Sequence, residues 1–347
     1  MEALPISAEE ANELLAPLAP YRHVALAVSG GPDSLALLHL AARWRDDRDG
    51  TPEITILTVD HALRKGSREE AETVARTAAG LGLKHAILTW EHSDPAGTGL
   101  QEKAREARYN LMSAYASAHG IQAIVTAHHL DDQAETFLMR LKRGSGLDGL
   151  AAIPERSLWG GVPILRPLLQ MPKARLIATL AAQDIAYASD PSNVDPGFER
   201  ARMREAWDAL ESLGLTPEVL ALTARRLRRA REALDHATDA FLADHGEMHD
   251  DRAVIDREAL LAAPQEIALR ALARVIEAVG GSQEPVRLAK LEALLAALIA
   301  HTGKTQTLGH CRIEPKGLRL AIIREQRRKR PPAGEVARPE RRAALTR

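Results

Sequence analysis

SGGPDS, residues 29–34, follows without a break on HVALAV, residues 23–28. An apolar β-rich run that ends in small and acidic residues, and then gives way to an amphipathic stretch, reads as strand, tight loop, helix. Gly30 and Gly31 allow positive φ and close approach of a ligand to the backbone. Pro32 stiffens the turn, and Ser34 is expected to cap the helix that follows. The amides at that helix start, with the positive end of the dipole, suit an anion such as pyrophosphate. The stretch lacks the GKS or GKT of a Walker loop and the GxGxxG of a dinucleotide fingerprint. A tight, well-capped turn without a ligand is the alternative for the hexapeptide alone.

Working outward, the first 150 residues alternate between short β-rich runs and helical patterns. Strands are expected at 23–29, 54–60, 85–91 and 123–128, with helices at 34–45, 67–81 and 100–119. This spacing predicts a parallel α/β sheet with helices on both faces. SGGPDS, VDHALR (59–64) and TAHHLDDQAET (126–136) all fall at carboxyl ends of strands, where such sheets place their chemistry. Residues 144–166 read as a Gly/Pro-rich loop with a small hairpin around Trp159-Gly160-Gly161, followed by a short helix over 173–183. From Ala206 to His301 the pattern is almost wholly helical, and 307–323 reads as two strands around Pro315–Gly317. The fold class is therefore α/β, a Rossmann-like parallel sheet, followed by a mainly helical second domain. Domain limits are expected at 1–205, 206–325 and a basic tail at 326–347.

Composition narrows the function. Of the 347 residues 45% are hydrophobic but only 3% aromatic, so Leu and Ala must build the core. The lone Cys311 excludes an intramolecular disulfide framework, a CxxC pair and a cysteine-built metal site. No signal-like or membrane-spanning run is found, and the expected location is cytoplasmic.

The ordered set SGGPDS, VDHALR, AREARY (104–109), TAHHLDDQAET, RGSGLDGL (143–150), RPLL (166–169) and DPSN (190–193) resembles the tRNA(Ile)-lysidine synthetase family of the PP-loop ATP-pyrophosphatases. The resemblance implies ATP with Mg2+, L-lysine and the isoleucine tRNA with a CAU anticodon as the reacting partners. It implies adenylation of the wobble cytidine, attack by the lysine ε-amine, release of AMP and pyrophosphate, and a change of codon from AUG to AUA. Longer family members continue into a further C-terminal domain, before which this chain is expected to stop. A thiolating relative would need more sulfur ligands than Cys311. An ammonia-using synthetase would need no tRNA domain. A tRNA-binding module with a relic nucleotide site would be expected to have lost one of the motifs.

Carried over residue by residue, the resemblance assigns Ser29, Gly30, Gly31, Pro32, Asp33 and Ser34 to the ATP phosphates. Asp33 is the magnesium candidate, with a capping role as the alternative. Asp132 is assigned to the lysine ammonium or to magnesium, and both aspartates are the catalytic candidates. Asp60, His61 and Arg108 are placed on the nucleotide side, and Arg143 and Gly144 on the nucleotide or the tRNA side. One of His128 and His129 contacts nucleotide, with His128 the candidate. Adjacent histidines in an extended segment point to opposite sides, which argues against a shared zinc ion. Arg200, Arg202 and Arg204 stand where the family has an RNRIR-like run, here with Ala201 replacing a polar residue. They and Arg225, Arg228 and Arg229 of RRLRRAREALDH (225–236) are the expected contacts to tRNA phosphates, with solvated helix faces as the alternative. An apolar helix face leaves a homodimer open.

From Arg312 to Arg347 there are 12 Lys or Arg and 4 Asp or Glu. The tail is too polar to build a core, so deleting residues after Arg328 is expected to leave Tm almost unchanged. Each phosphate it neutralises contributes roughly 0.7–0.9 to the slope of log K against log salt. Filter binding of tRNA over a salt series should show weaker binding at low salt and a flatter slope. Unchanged slope and affinity would mark the tail as an inert terminus.

Overall fold

The computed structural model describes residues 3–62, 66–91, 100–187, 203, 207–281, 286–300 and 303–325. The chain divides into two compact units, Met1–Arg231 and Glu232–Arg347. The stretch DPSN, the three arginines 200, 202 and 204, and the basic tail lie outside the described residues.

The first unit is the α/β sheet expected. Its elements are α1 (Ala8–Leu15), β1 (His23–Ala27), α2 (Pro32–Asp46), β2 (Glu53–Asp60), α3 (Ser67–Gly80), β3 (Lys84–Thr89), α4 (Leu100–Ala118), β4 (Ala123–Val125), α5 (Leu130–Lys142), α6 (Leu147–Leu150), β5 (Arg156–Trp159), β6 (Val162–Leu165), α7 (Lys173–Ala181) and α8 (Trp207–Ser212). The strand order is β3-β2-β1-β4-β6-β5. All neighbours pair in parallel except β5 with β6. β1 is central, with Val24 opposite Ile54 on one side and Ala123 on the other. The chain order reverses between β1 and β4, which opens a crevice at their carboxyl ends.

The two faces of the sheet follow from strand alternation. Val24 and Leu26 join Leu37 and Leu38 of α2, Val74 of α3 and Leu176 and Leu180 of α7 in one core. Ala25 faces the other way, with Tyr109, Met112 and Ala116 of α4. β4 ends three residues before the expected limit, and Thr126 donates its N–H to the Leu165 carbonyl as the chain leaves the sheet. The expected hairpin at 159–161 is present: Gly160 and Gly161 both take positive φ, +54° and +81°, as a two-residue turn requires.

α9 (Pro217–His245) runs across the division between the units. The second unit adds β7 (Gly246–Met248), β8 (Arg252–Asp256), α10 (Arg257–Ala262), α11 (Gln265–Gly280), α12 (Leu288–Ile299), β9 (Gln306–Leu308), β10 (Cys311–Lys316) and β11 (Arg319–Arg324). The expected pair around Pro315–Gly317 is β10 and β11. The stretch expected to be almost wholly helical to His301 is interrupted by β7 and β8, which complete an antiparallel sheet of order β7-β8-β11-β10-β9. β8 has only five residues and pairs with β11, more than sixty positions further on, so its sequence carries little local signal. Ile255, Ile276, Leu295, Ile313 and Ile322 form the core between this sheet and its helices. Cys311 is buried there, its thiol donating to the Ile276 carbonyl. Among the described residues no helix is long and apolar enough to cross a membrane.

α7 is seated on α2 through Leu176, which is fully buried. Leu176→Ala should lower stability by about 2–5 kcal/mol. In urea this should appear as a lower midpoint with an unchanged slope for the first unit's transition.

Candidate active site

The loop after β1 is closed by its own side chains. Gly30 has φ +89°, and a Cβ there would lie 3.4 Å from Cγ2 of Val74, so this is the position that needs glycine. Gly31 does not take positive φ: it is the helix N-cap, at φ −73°. Pro32 occupies the first helical position, where a missing N–H is harmless. Ser34 is not the cap, because it lies inside the first turn. Its hydroxyl donates to the Gly31 carbonyl at 3.0 Å and accepts from the Ser29 N–H at 3.2 Å, folding the loop back on itself. First-turn amides of a helix have no intrahelical acceptor, and this curl presents those of α2 to a ligand.

Asp33, in that first turn, faces the start of α5 across the crevice. His129, only 2% exposed, places Nε2 3.5 Å from Oδ2 of Asp33 and 3.5 Å from Oδ2 of Asp132, while its Nδ1 lies 3.5 Å from Oδ2 of Asp131. The His129 N–H donates to Asp132 at 3.1 Å. Lys173, the first residue of α7, donates its backbone N–H to Asp131 at 2.9 Å and brings Nζ to 3.5 Å from Oδ2 of Asp33. The starts of α2, α5 and α7 thus meet through two cations and three carboxylates.

These contacts set the protonation. Burial would depress His129, but the carboxylates of Asp131, Asp33 and Asp132 close around it outweigh that and raise the imidazole to about 10. Burial would raise Asp33, yet His129 and Lys173 hold it below the usual carboxylate range. Asp131 is lowered in the same way, against its burial, by His129 and the Lys173 N–H. His128, one residue earlier, is pushed down to about 3, first by burial and then by Arg166, Arg108 and Arg105, against the pull of Asp132. Its Nδ1 lies 2.8 Å from the Thr126 hydroxyl.

A cavity of about 260 Å³ opens beside this cluster. Ser29, Gly31, Asp33 and Ser34 form one wall and Arg105, Arg108 and Met112 of α4 another; Ala27 of β1, Leu57 and Val59 of β2, His61, His128 and Asp132 are among the other lining residues. Arg105 and Arg108 rest against the Tyr109 ring, 5.1 and 5.2 Å from its centroid, and Tyr109 stacks on Trp159.

The PP-loop domain family matches residues 4–208. A tRNA(Ile)-lysidine synthase of Bradyrhizobium sp. is 48% identical over 85% of this chain and 84% of its own length. One from Rhodopseudomonas palustris is 44% identical over 92% of this chain and 95% of its own. The chain belongs to the tRNA(Ile)-lysidine synthase family. Among solved structures, the U34-tRNA thiolase NcsA from Methanococcus maripaludis with its 4Fe-4S cluster shares the fold, at 18% identity and a TM-score of 0.52, covering 63% of this chain and 77% of that one.

Within this member of the lysidine synthase family, the residues named from sequence part company. Ser29, Gly31, Asp33, Ser34, His61, Arg108, His128 and Asp132 line the cavity, with Gly30 and Pro32 between them in the loop. Asp60 is not among the cavity residues: its carboxylate accepts from the Ala62 N–H at 2.9 Å and the Ser67 hydroxyl at 2.7 Å, and so shapes the turn after β2. Arg143 and Gly144 are exposed at the far end of α5, about 16 Å along the axis from Asp132. Arg225 and Arg229 are exposed one turn apart on α9. Arg228 corrects the expectation of a phosphate contact. It is buried, and its guanidinium donates to the carbonyls of Ala151 and Ile153 at 3.2 and 2.6 Å. Helical periodicity turns it toward the cluster containing Leu220 and Ala224 and away from solvent.

Sequence reasoning weighed His129 only as the alternative to His128 and assigned no role to Asp131, Arg105 or Lys173. The first three adjoin assigned residues and could have been found by asking what pairs with them. Lys173 carries no local signal.

The two adjacent histidines should titrate far apart. Nitrogen-detected NMR of the substrate-free protein is expected to show His129 doubly protonated through pH 8 and His128 singly protonated down to pH 5. His129 is raised above its unfolded value of about 6.5, so its contribution to stability is full below that pH. It is lost as pH rises toward about 10.

Proposed function

We propose that this chain uses ATP to join L-lysine to the wobble cytidine of the isoleucine tRNA with a CAU anticodon. The observation that carries the proposal is the Asp33–His129–Asp132 cluster, set against the SGGPDS loop at the mouth of the cavity in a chain of this family.

A carbonyl oxygen on a base leaves poorly until it carries a phosphoryl group. In the first step O2 of the cytidine attacks the α-phosphate of ATP, forming an O–P bond as pyrophosphate departs. In the second, the lysine Nε attacks C2, the C2–O bond breaks, AMP leaves, and a proton is lost from nitrogen. The loop amides face the developing pyrophosphate charge, which is where preorganised donors lower the barrier. Arg108 and the neutral His128 border the nucleotide.

Asp33 Oδ1 is buried with no hydrogen-bond partner among the described residues. An oxygen of that kind beside Asp132 fits Mg2+, which takes one or two carboxylates and completes its shell with phosphate oxygens and water. Asp33 and Asp132 would hold it, and the ion would supply charge neutralisation to the pyrophosphate. Asp132, which lines the cavity while its neighbour Asp131 does not, also suits the lysine ammonium. Arg225 and Arg229 are exposed cations on α9 suited to RNA phosphates, together with the arginines at 200, 202 and 204. ATP and tRNA as substrates put this activity in the cytoplasm.

Incubation with ATP, radiolabelled lysine and tRNA transcripts tests the proposal. The expected result is label in the CAU-anticodon isoleucine tRNA, with AMP and pyrophosphate released in equal amounts. ADP as the main nucleotide product, or label that never enters RNA, would overturn it.

A further inference from the structure

The SGGPDS loop contains no lysine, whereas a Walker-type loop supplies one that reaches the terminal phosphates. Pyrophosphate carries more negative charge than one divalent cation neutralises, so the chemistry calls for a further cation on the loop side of the cavity. Arg105 and Arg108 come from α4, on the opposite face of the sheet from α2.

Lys173, though not among the residues that line the cavity, reaches the loop through Asp33. Although 140 residues separate it from Asp33, its Nζ lies 3.5 Å from Oδ2 of that residue. Its position is determined twice over: the backbone N–H is held by Asp131, and α7 packs through Leu176 and Leu180 into the core that includes α2. The side chain is 32% exposed, so solvent and a ligand can reach it. Asp33 divides its two oxygens in a way that fits a shared site. Oδ2 faces Lys173 and His129, while Oδ1 is left without a partner.

We propose that Lys173 is a ligand for the pyrophosphate leaving group, supplying from α7 the ammonium that Walker-type loops carry within the loop. The ammonium rests on Asp33 when no phosphate is present and bridges Asp33 and a phosphate oxygen when one arrives. Lysine suits this because its charge sits on a flexible stem with three donors. The identity of pyrophosphate as product rests on the proposed ligase reaction, but the phosphate contact can be measured without turnover. The rival account is a simple ion pair joining α2 to α7.

Calorimetric titration of inorganic pyrophosphate with Mg2+ into the full chain separates the two accounts. Lys173→Met should weaken pyrophosphate about 10- to 100-fold, the size expected for a lost charge-assisted contact. Lys173→Arg should recover most of the affinity, and AMP binding should change little in either variant. Pyrophosphate affinity equal in Lys173→Met and the unsubstituted chain, with only Tm lowered, would overturn the proposal. So would failure of the unsubstituted chain to bind pyrophosphate. If lysine never enters tRNA yet Lys173→Met loses pyrophosphate, the ligase reaction falls and the phosphate site stands.

Discussion

A buried imidazolium organises this molecule's chemistry. His129 is enclosed among Asp33, Asp131 and Asp132, and neither partner in that arrangement tolerates losing the other. An isolated buried charge is heavily disfavoured, and three carboxylates converging without a cation would repel one another. Paired, they fix the relative positions of three helix starts: Asp33 in the first turn of α2, His129 and its two aspartates at the start of α5, and Lys173 at the start of α7. Removing one member of such a set leaves the others unpaired, which is more damaging than the net worth of any one ion pair suggests.

The sheet makes that meeting possible. β1 and β4 are parallel neighbours, yet their following helices depart to different places, so the loops after them part and leave a crevice. One side of the crevice is anionic with cations embedded in it. The other, built on α4, presents Arg105 and Arg108 over Tyr109. His128 and His129 lie between these two fields. One imidazole is driven neutral by burial and nearby arginines, the other is held charged by carboxylates. Two residues of the same type, adjacent in the chain, thereby acquire different chemistry.

The arginines show the same dependence on surroundings. Arg225, Arg228 and Arg229 read alike along the chain, yet Arg228 serves two backbone carbonyls inside the first unit while the other two remain at the surface. Arg175 has likewise become structural: it forms a two-pronged pair with Glu10 at 2.7 Å on each side and ties α1 to α7. Counting basic residues along a segment overstates the cations offered to a nucleic acid.

Much of the first unit was legible in the sequence because its determinants are local. The alternating apolar runs specify strands, the intervening amphipathic stretches specify helices, and SGGPDS announces its loop through the one glycine that must take positive φ and the proline that starts α2. Asp33, Asp132, Arg108 and His128 were named through the family resemblance that the ordered motifs carry, and all four line the cavity. What the sequence could not show was decided by contacts between distant segments. β8 becomes a strand only by pairing with β11. Asp60 is taken up by a turn, and Arg228 is turned inward by the phase of its helix. Lys173 reaches Asp33 only because α7 packs beside α2, and burial in the assembled crevice divides the protonation of His128 and His129. Local propensity is written residue by residue, whereas burial and charge pairing exist only once the chain has closed on itself.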